Sequence, residues 1–477
     1  MIRLIKNEMY KILHKKSTYV VLIITILLMF LVSFIYKSDL LNINNYYNAY
    51  EEELYASENF DSELERKAYN DALNDTKNKL NKYTKDDWQY YVVYEKYFDI
   101  SKNYYDSLYI HKELLNEAKD LYEKTNESLE NDNWKYFVNE DIKNVKDELN
   151  TINDTIKTGN LSEEEKNNYN VLVYSKNVEL EMLNYRLKEN VSYGNFLGND
   201  YLNNAIYMVN SLSSSVANYN LAKTTKEKKN YEDDVKKFYE YKYTLETKED
   251  TNNTQDLRFI VMNFFDEYLF LILVFSIMIS GAIVSDEYSK GTIKSLLVTP
   301  HKRSSIILAK FITVIIMTIL FIFTSFLAQI LIGGILLGFS SLKIDVAIYN
   351  IASQKMVIMN CFKYFLINLG TYLPQIILLS TLAFMASTVL GSTAFAIAIT
   401  FCGYIGSSII NGIALSFPKK IFNYFVTTCW NFNDYLFGGT SIYNVSLKHS
   451  IIVCLIYFIL MIIIIFEVFK RKNIKNV

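Results

Sequence analysis

The longest uncharged stretch of the sequence, residues 364–418, reads YFLINLGTYLPQIILLSTLAFMASTVLGSTAFAIAITFCGYIGSSIINGIALSFP. A helix needs about 20 mostly apolar residues to cross the roughly 30 Å hydrocarbon core of a bilayer. The stretch is therefore long enough for two spans, and Gly391-Ser392 predicts a tight turn between them. Because lipid offers the backbone no hydrogen-bonding partners, we expect both spans to be α-helices.

Four more uncharged runs lie on either side of this stretch, at residues 17–36, 268–285, 311–342 and 450–466. The third run is too long for one upright span, and we expect it to break at Gly333-Gly334. A soluble core rarely requires several uncharged runs of this length, so the alternative of buried soluble helices is disfavoured. The first run is followed by no small-residue cleavage site, which favours an uncleaved anchor over a signal peptide. The predicted fold class is an all-α membrane protein with six transmembrane helices.

The positive charges that flank the spans predict the orientation, because cytoplasmic loops carry an excess of Lys and Arg. Three segments are rich in these residues: Arg3, Lys6, Lys11, Lys15 and Lys16; Lys290, Lys294, Lys302, Arg303 and Lys310; and Lys470, Arg471, Lys472 and Lys475. We expect all three segments on the cytoplasmic side of a bacterial plasma membrane. The first segment is predicted to be an amphipathic interfacial helix with one apolar face, formed by Ile2, Ile5, Met9 and Ile12.

Residues 37–258 differ from the rest of the chain in charge. They hold 43 acidic and 29 basic residues, a net charge of −14, whereas the remainder holds 8 acidic and 20 basic residues, a net charge of +12. The 3-4-3-4 spacing of apolar residues predicts a coiled-coil helix, through Ile142, Val145, Leu149, Ile152 and Ile156. Residues 157–160 predict its end, and Ser162 with Glu165 predicts a capping box that begins a partner helix. We therefore predict a large helical, coiled-coil-like extracellular domain between spans one and two.

Two further features of this domain are open to interpretation. Leu108, Leu115 and Tyr122 follow a heptad-like spacing. Residues 191–222 carry a single charge, Asp200, which predicts either a packed internal helix or a surface for a ligand, a partner or the outer leaflet.

The predicted segments are a cytoplasmic arm (1–16), a transmembrane helix (17–36), the extracellular domain (37–260), a transmembrane helix (261–285), a cytoplasmic coupling loop (286–305) and a bundle of four helices (306–477) with an external aromatic loop (418–448) and a basic tail.

The most informative stretch for function is residues 280–310, SGAIVSDEYSKGTIKSLLVTPHKRSSIILAK. We interpret it as a span exit, a short amphipathic cytoplasmic helix capped by Ser285 and stopped at Pro300, and the entry to the next span. The apolar face of this helix is predicted to be Ile293, Leu296 and Leu297. A compact helix held between two spans suits docking into a groove on a soluble partner, whereas the alternative is an ordinary basic loop.

This stretch resembles the loop of type-2 ABC exporter permeases. The residues that carry the resemblance are Glu287, Gly291, Thr292, Leu296, Leu297, Pro300, Arg303 and Lys310. The N-terminal arm, with Glu8, Tyr10 and Lys11 before the first span, also resembles that of the family. The resemblance covers the six-span plan but not the enlarged external domain, which is far larger than in compact members.

The resemblance implies a division of labour between subunits. The loop would be a coupling helix that contacts ABC ATPase subunits, and the functional unit would pair this chain with a second copy or a paralogous permease. Transport would be outward. The loop at 418–448 would dip back into the membrane with its aromatic set, Phe422, Tyr424, Phe425, Trp430, Phe432, Tyr435 and Phe437.

None of the 15 glycines precedes a lysine, so the chain has no P-loop of its own. ATP and Mg²⁺ are therefore expected on a partner subunit, and we expect no enzymatic activity, metal site or nucleic-acid partner for this chain.

Polar residues within the spans are candidates for a substrate path, since such groups usually face a protein interior or a cavity. They are Gln329, Asn368, Gln375 and Asn411, with hydrogen bonding between helices as the alternative role. The predicted function is the export of a hydrophobic or amphipathic substrate such as a peptide, drug or lipid. Two alternatives remain: an ATPase-driven mechanical transmitter that acts on an extracellular partner without transport, and a non-transporting anchor or receptor.

Overall fold

The computed structural model describes residues 1–39, 60, 62–194, 200–251, 256–292, 302–417 and 419–471. The chain forms two compact units. The membrane unit comprises residues 1–37, 224–230 and 253–477, and the polar unit comprises residues 38–223 and 231–252. The α-helices of the described residues are, in chain order, α1 (Ile2–Leu13), α2 (Lys16–Asp39), α3 (Glu63–Leu80), α4 (Trp88–Val92), α5 (Phe98–Tyr109), α6 (Leu115–Glu130), α7 (Trp134–Thr158), α8 (Glu163–Glu189), α9 (Tyr201–Leu221), α10 (Thr225–Lys229), α11 (Glu232–Thr247), α12 (Leu257–Met262), α13 (Phe264–Ser289), α14 (Arg303–Leu337), α15 (Cys361–Leu390), α16 (Thr393–Ser416), α17 (Val426–Cys429) and α18 (Leu447–Arg471).

Within the described residues, six helices are long and apolar enough to cross a membrane: α2, α13, α14, α15, α16 and α18. The six predicted spans are thus confirmed as helices of sufficient length, and the chain is a multi-pass membrane protein. The helix bounds differ from the predicted ones at several ends. α13 continues to Ser289, and the short helix α12 with its buried Arg258 belongs to the membrane unit, although residues up to 260 were expected in the external domain.

The predicted break at Gly333-Gly334 is wrong, because α14 runs uninterrupted through both glycines to Leu337. With 35 residues, this helix is about 52 Å long at 1.5 Å per residue, which exceeds the hydrocarbon thickness. The glycines serve close packing instead of a break. A Cβ atom at Gly333 would lie 2.5 Å from Cδ1 of Leu257 on α12.

A small hairpin between α14 and α15 departs from the all-α expectation. Strands β1 (Val346–Asn350) and β2 (Lys355–Met359) pair antiparallel, with Val346 opposite Met359 and Asn350 opposite Lys355. The side chain of Asn350 accepts a hydrogen bond from the backbone N–H of Ser353 at 3.0 Å, which stabilises the turn. The β-branched and aromatic residues of β1 are buried, and this burial explains a strand here.

α13 lies at the centre of the membrane unit and packs against α14, α15 and α16. Aromatic rings stack at one end of this core, where Phe326 and Phe365 have ring centroids 3.7 Å apart. Farther along, the hydroxyl of Ser276 bonds to Ser380 on α15 and accepts from Thr318 on α14 at 3.1 Å. In contrast, α2, α16 and α18 leave most of their apolar side chains exposed, as expected of helices that face lipid or a partner.

The polar unit is built from helices, as its sequence predicts. α7 and α8 pack together as a hairpin whose core contains Ile142, Val145 and Leu149. α7 ends at Thr158, and Ser162 with Glu165 forms the predicted capping box: Ser162 Oγ accepts from the backbone N–H of Glu165, and the Glu165 carboxylate accepts from the backbone N–H of Ser162.

Two other expectations for the polar unit have clear outcomes. The heptad-like set of Leu108, Leu115 and Tyr122 is not one helix, because α5 ends at Tyr109 and a 3₁₀ turn at Lys112–Leu114 precedes α6. The low-charge stretch 191–222 contains α9, which packs against both α8 and α11 and buries one face. For α9 the structure supports the interpretation as a packed internal helix, and residues 195–199 of the stretch lie outside the described residues.

Candidate functional site

Four charged side chains meet inside the membrane unit, and we refer to them as the arm cluster: Glu8 and Lys11 on α1, Glu287 on α13 and Lys310 on α14. On α1, Glu8 lies on the same face as Ile5 and Ile12, because positions three and four apart share a helix face. That face packs against α14. An acidic residue on a packed face needs a cation opposite it, and α14 supplies Lys310.

The arm cluster alternates in charge. Lys310 Nζ lies 2.7 Å from Glu8 Oε2 and 3.2 Å from Glu287 Oε1, and it also donates to the backbone oxygen of Ile283 at 3.0 Å. Lys11 Nζ lies 3.0 Å from Glu8 Oε1 and 2.9 Å from Glu287 Oε1. Two carboxylates and two ammonium groups therefore close a ring of ion pairs with no net charge.

Three of the four side chains in these ion pairs are buried. Lys310 is 1% exposed, Glu8 6% and Glu287 7%. A charge so far from water is tolerated only with close partners. Lys11 is nearer the surface: burial lowers its pKa, but the hydrogen bond to Glu287 and the charge of Glu8 raise it more, so the net shift is upward. Lys11 therefore stays charged at neutral pH.

The Gly-Thr pair that follows α13 has a physical role at this site. Gly291 has φ +68°, and its N–H bonds to the oxygen of Tyr288, which ends α13 in the left-handed conformation that glycine adopts without strain. This reversal brings Thr292 back, and its hydroxyl donates to the carboxylate of Glu287. The pair thus terminates the span and adds a hydrogen bond to the arm cluster.

A cavity of about 230 Å³ lies between the start of α2, the second half of α13 and the start of α16. Its walls are mostly apolar, with Phe275, Met278 and Ile279 of α13 and Ile397 of α16 among them, and Lys15 and Asp286 also line it. Lys15 and Asp286 form an ion pair.

Ser285 does not cap a separate helix, so that prediction is wrong. It lies inside α13, where its hydroxyl donates to the oxygen of Gly281 and bonds to Thr393 on α16 at 2.5 Å. Its backbone N–H bonds to the hydroxyl of Ser387 at 3.1 Å. The packing of α15 and α16 against α13 accounts for the helix continuing past this residue, since each neighbour supplies a hydroxyl partner.

The structure locates four of the seven predicted coupling residues. Glu287 is buried in the arm cluster, and Gly291 and Thr292 end α13. Arg303 begins α14, and its guanidinium donates to the backbone oxygen of Lys470 at the end of α18, at 3.0 Å. Leu296, Leu297 and Pro300 lie outside the described residues, as does Ile293.

The predicted substrate-path residues do not form one group. Gln329 is fully buried, accepts a hydrogen bond from Tyr268 at 2.8 Å and donates to Ser33 at 2.9 Å, so it joins α2, α13 and α14. Asn411 donates to the oxygen of Thr427 at 3.3 Å. Asn368 is buried and bonds within α15, and Gln375 is half-buried. Within the described parts of the chain, no hydrogen bond connects any two of the four.

The predicted apolar face of the N-terminal arm is largely covered by the membrane unit. Met9 and Ile12 pack into the core of the membrane unit, and the hydroxyl of Thr313 on α14 bonds to the backbone oxygen of Ile5, whereas Ile2 is exposed. The sequence contained a signal for this arrangement, because Glu8 lies on the apolar face of the arm. The pairing of that residue with Lys310 was not predicted.

As to metals, no group of three or more His, Cys, Asp or Glu side chains in the described ranges could hold an ion.

The spans and the buried arm cluster define a multi-pass membrane protein whose N-terminal helix is locked to the membrane bundle. Residues 220–475, more than half of the chain, match the family described as "Protein of unknown function (DUF2705)", and the chain belongs to that family. The matched range contains five of the six spans and the motif at 280–310, but neither α1 nor α3 to α8 of the polar unit.

Two similar proteins come from Bacillus subtilis (strain 168). The uncharacterized protein YhcI is 28% identical over 207 residues, which are 43% of this chain and 64% of YhcI. The uncharacterized membrane protein YdbK is 23% identical over 206 residues, which are 43% of this chain and 78% of YdbK. The chain thus spans less than two thirds of the length of YhcI. No solved structure matches the chain.

Proposed function

We propose that this chain is the membrane-spanning permease subunit of an ATP-driven ABC transporter in the bacterial cell membrane. ATP and Mg²⁺ would be bound by separate ATPase subunits, and a second copy or a paralogous permease would complete the assembly. The observation that carries the proposal is the arm cluster, whose ion pairs join the arm to the two spans on either side of residues 290–302.

The cluster suits a part that receives force from a soluble motor. A push on the loop would reach α13 through Thr292 and Glu287, and it would reach α14 and α18 through Arg303 and its bond to the Lys470 carbonyl. Because the ion pair between Glu8 and Lys310 is buried and short, the arm would move together with α14. Such rigid-body displacement of packed helices is a common way to switch a membrane bundle between states.

In this proposal Glu287 positions the loop and does not itself contact the ATPase. Loop residues Leu296 and Leu297 would supply the apolar contact. The substrate would be hydrophobic or amphipathic, because charged side chains are scarce in the spans. Gln329, Asn368, Gln375 and Asn411 remain candidates for its path. The hydrogen bonds of Gln329 and Asn411 favour a structural role for these two residues.

ATPase coupling tests the proposal. The chain is purified with its ATPase from native membranes, reconstituted in vesicles, and assayed for ATP hydrolysis and uptake of a lipophilic dye. Glu287→Gln should lower both activities while the chain remains in the membrane. Glu267→Gln, at the opposite end of the same helix, is the matched control and should retain both. Unchanged hydrolysis and uptake in Glu287→Gln, or no ATPase in the purified material, would count against the proposal.

A mechanical transmitter is the second candidate, and one observation favours it. The polar unit contains a hairpin of two long helices, α7 with 25 residues and α8 with 27, which is suited to relaying movement over a distance. In that case ATP hydrolysis would persist in vesicles but no dye would cross. If the chain is a mechanical transmitter, deletion of the hairpin should abolish signalling to the extracellular partner and leave ATP hydrolysis in place. If the chain is a transporter, the deletion variant should still take up dye.

A further inference from the structure

A short lysine-rich segment lies in sequence between two parts of the polar unit. Its contacts nevertheless assign it to the membrane unit. It is residues 224–230, which contain α10. The ammonium group of Lys226 lies 3.4 Å from the backbone oxygen of Leu415, in the last turn of the membrane-spanning helix α16. The last carbonyls of a helix have no partner within the helix, so a cation is favourable there. The segment therefore rests against the end of a span.

Five lysines lie on the two chain segments that make this contact, and we call them the lysine collar: Lys226, Lys228, Lys229, Lys419 and Lys420. Each lies within five residues of Lys226 or Leu415 along the chain. The segment contains one acidic residue, Glu227, so its net charge is positive. Because residues 37–258 have a net charge of −14, a run of lysines here is not a consequence of general composition.

Large apolar side chains lie among the lysines of the collar. Phe417, Ile421 and Tyr424 are all largely exposed, although they flank a span end and not its lipid-facing middle. Lys419 and Lys420 are exposed beside them. Aromatic and apolar side chains mixed with lysines are typical of the headgroup level of a bilayer, where both water and acyl chains are within reach.

We propose that the lysine collar binds the headgroups of anionic phospholipids in the leaflet at the C-terminal end of α16. The ammonium groups pair with lipid phosphates, and Phe417, Ile421 and Tyr424 enter the acyl boundary. A soluble anionic polymer would match the lysines but would leave the apolar residues in water, so lipid accounts for both features. Since consecutive spans alternate in direction, this end of α16 lies on the same side of the membrane as the end of α2.

Binding of this kind would anchor the chain at a second point between its first two spans. The chain leaves the membrane at the end of α2, and it re-enters at α13. The collar contact at residues 224–230 lies between those two places. Lipid composition would then influence how firmly this segment is held to α16. This inference does not depend on ATP-driven transport.

The test is lipid binding to the purified full chain, measured by native mass spectrometry during titration with phosphatidylglycerol or phosphatidylcholine of identical acyl chains. The unmodified chain should bind phosphatidylglycerol more tightly. The K226Q/K228Q/K229Q variant should weaken phosphatidylglycerol binding by about fivefold for each lysine removed, whereas the corresponding Lys→Arg variant should retain it. The K143Q/K146Q/K166Q variant removes the same charge from exposed lysines of α7 and α8, and it should bind as the unmodified chain does.

A second variant guards against misfolding, because Lys228 and Lys229 are half-buried. K419Q/K420Q changes two exposed lysines and should also weaken phosphatidylglycerol binding, with an unchanged melting temperature. The proposal is overturned if neither Gln variant changes the affinity, or if the two lipids bind equally well. It is also overturned if polyphosphate binds the unmodified chain, loses affinity in both Gln variants, and phosphatidylglycerol shows no such dependence.

Discussion

At the residue scale, the arm cluster depends on Lys310, whose ammonium group lies between two buried carboxylates. Substituting it with Met keeps a similar volume but leaves Glu8 and Glu287 facing one another with one cation fewer. Removal of one partner from a buried ion pair costs about 3–5 kcal/mol. We therefore expect Lys310→Met to lower the free energy of unfolding by that amount, as measured by thermal unfolding of the purified chain in detergent.

The double substitution Glu8→Gln with Lys310→Met is the informative control for this prediction. It removes one charge of each sign and leaves Lys11 paired with Glu287, so part of the lost stability should return. The coupling energy between the two sites should be about 0.5–3 kcal/mol. Strictly additive effects would mean that the two side chains do not interact. Lys355→Met, at an exposed position of β2, should change little.

Gly291 provides a second prediction at this scale. No atom of the described residues lies within 4 Å of a Cβ atom added there, so we attribute the cost of Gly291→Ala to the backbone, at φ +68°. That cost is about 1–2 kcal/mol for an ordinary residue and less for Asn, which tolerates the left-handed region. Gly291→Ala should lower the melting temperature more than Gly291→Asn does.

The matched control is Gly370→Ala, inside α15, where an added Cβ also meets no atom of the described ranges within 4 Å but the backbone is helical. Alanine is favoured over glycine in a helix by about 1 kcal/mol. The melting temperature should therefore stay the same or rise. If both alanine variants behaved alike, the left-handed turn would not be the cause of the effect at Gly291.

At the element scale, α8 depends on its capping box. The bonds of the Glu165 carboxylate to the N–H and hydroxyl of Ser162 lower the pKa of Glu165 below its ordinary value. A carboxyl group with a lowered pKa in the folded state stabilises the fold above its unfolded pKa, near 4.3, and this stabilisation is lost as the pH falls through the lower, folded value. Ser162→Ala should cost about 1 kcal/mol at pH 7.

Hydrogen exchange at the first turn of α8 measures this effect directly. Protection should fall in Ser162→Ala at pH 7, and in the unmodified chain it should fall only below about pH 4.3. Glu164→Gln, in the same turn but outside the box, should leave the acid profile unchanged. If the acid profile shifted in Glu164→Gln as well, the pH dependence would come from the overall negative charge of the first turn and not from the capping box.

The elements also show what local sequence patterns can predict. Uncharged runs predict the spans because the bilayer imposes a length, and the Ser162–Glu165 box predicts a helix start because its bonds span only three residues. Gly333-Gly334 was misinterpreted because glycine serves both as a breaker and as a site of close packing, and only the position of Leu257 distinguishes the two. The hairpin of β1 and β2 was missed because its five-residue strands lie between long spans.

At the scale of the whole molecule, topology gives a direct prediction. One span, α2, separates the arm from the polar unit, so the two should lie on opposite sides of the membrane. In a Cys402→Ser background, a cysteine at Thr158 should react with an impermeant maleimide in intact cells. A cysteine at Lys6 should react only after permeabilisation. Labelling of both positions in intact cells would contradict the orientation proposed from the flanking lysines.

The arm cluster could not be derived from the sequence because its members are far apart in the chain. Glu8, Lys11, Glu287 and Lys310 were each noted, but charge patterns alone do not say which cation faces which carboxylate. Glu287 was expected in the first turn of a cytoplasmic loop helix, whereas it is buried in the last turns of α13. Long-range pairing is decided by how the spans pack, and that packing has no short-range signal.

The separation of these partners has a consequence for how the protein is made. Lys11 and Glu287 are 276 positions apart. At about 5–20 residues per second, a ribosome needs roughly 14–55 s to travel from one to the other. Throughout that interval the newly inserted first span has an N-terminal helix whose Glu8 has no Lys310 to meet. Until then Glu8 has Lys11, three positions away, as its partner, and a chain released before residue 310 would lack the buried ion pair that joins α1 to α14.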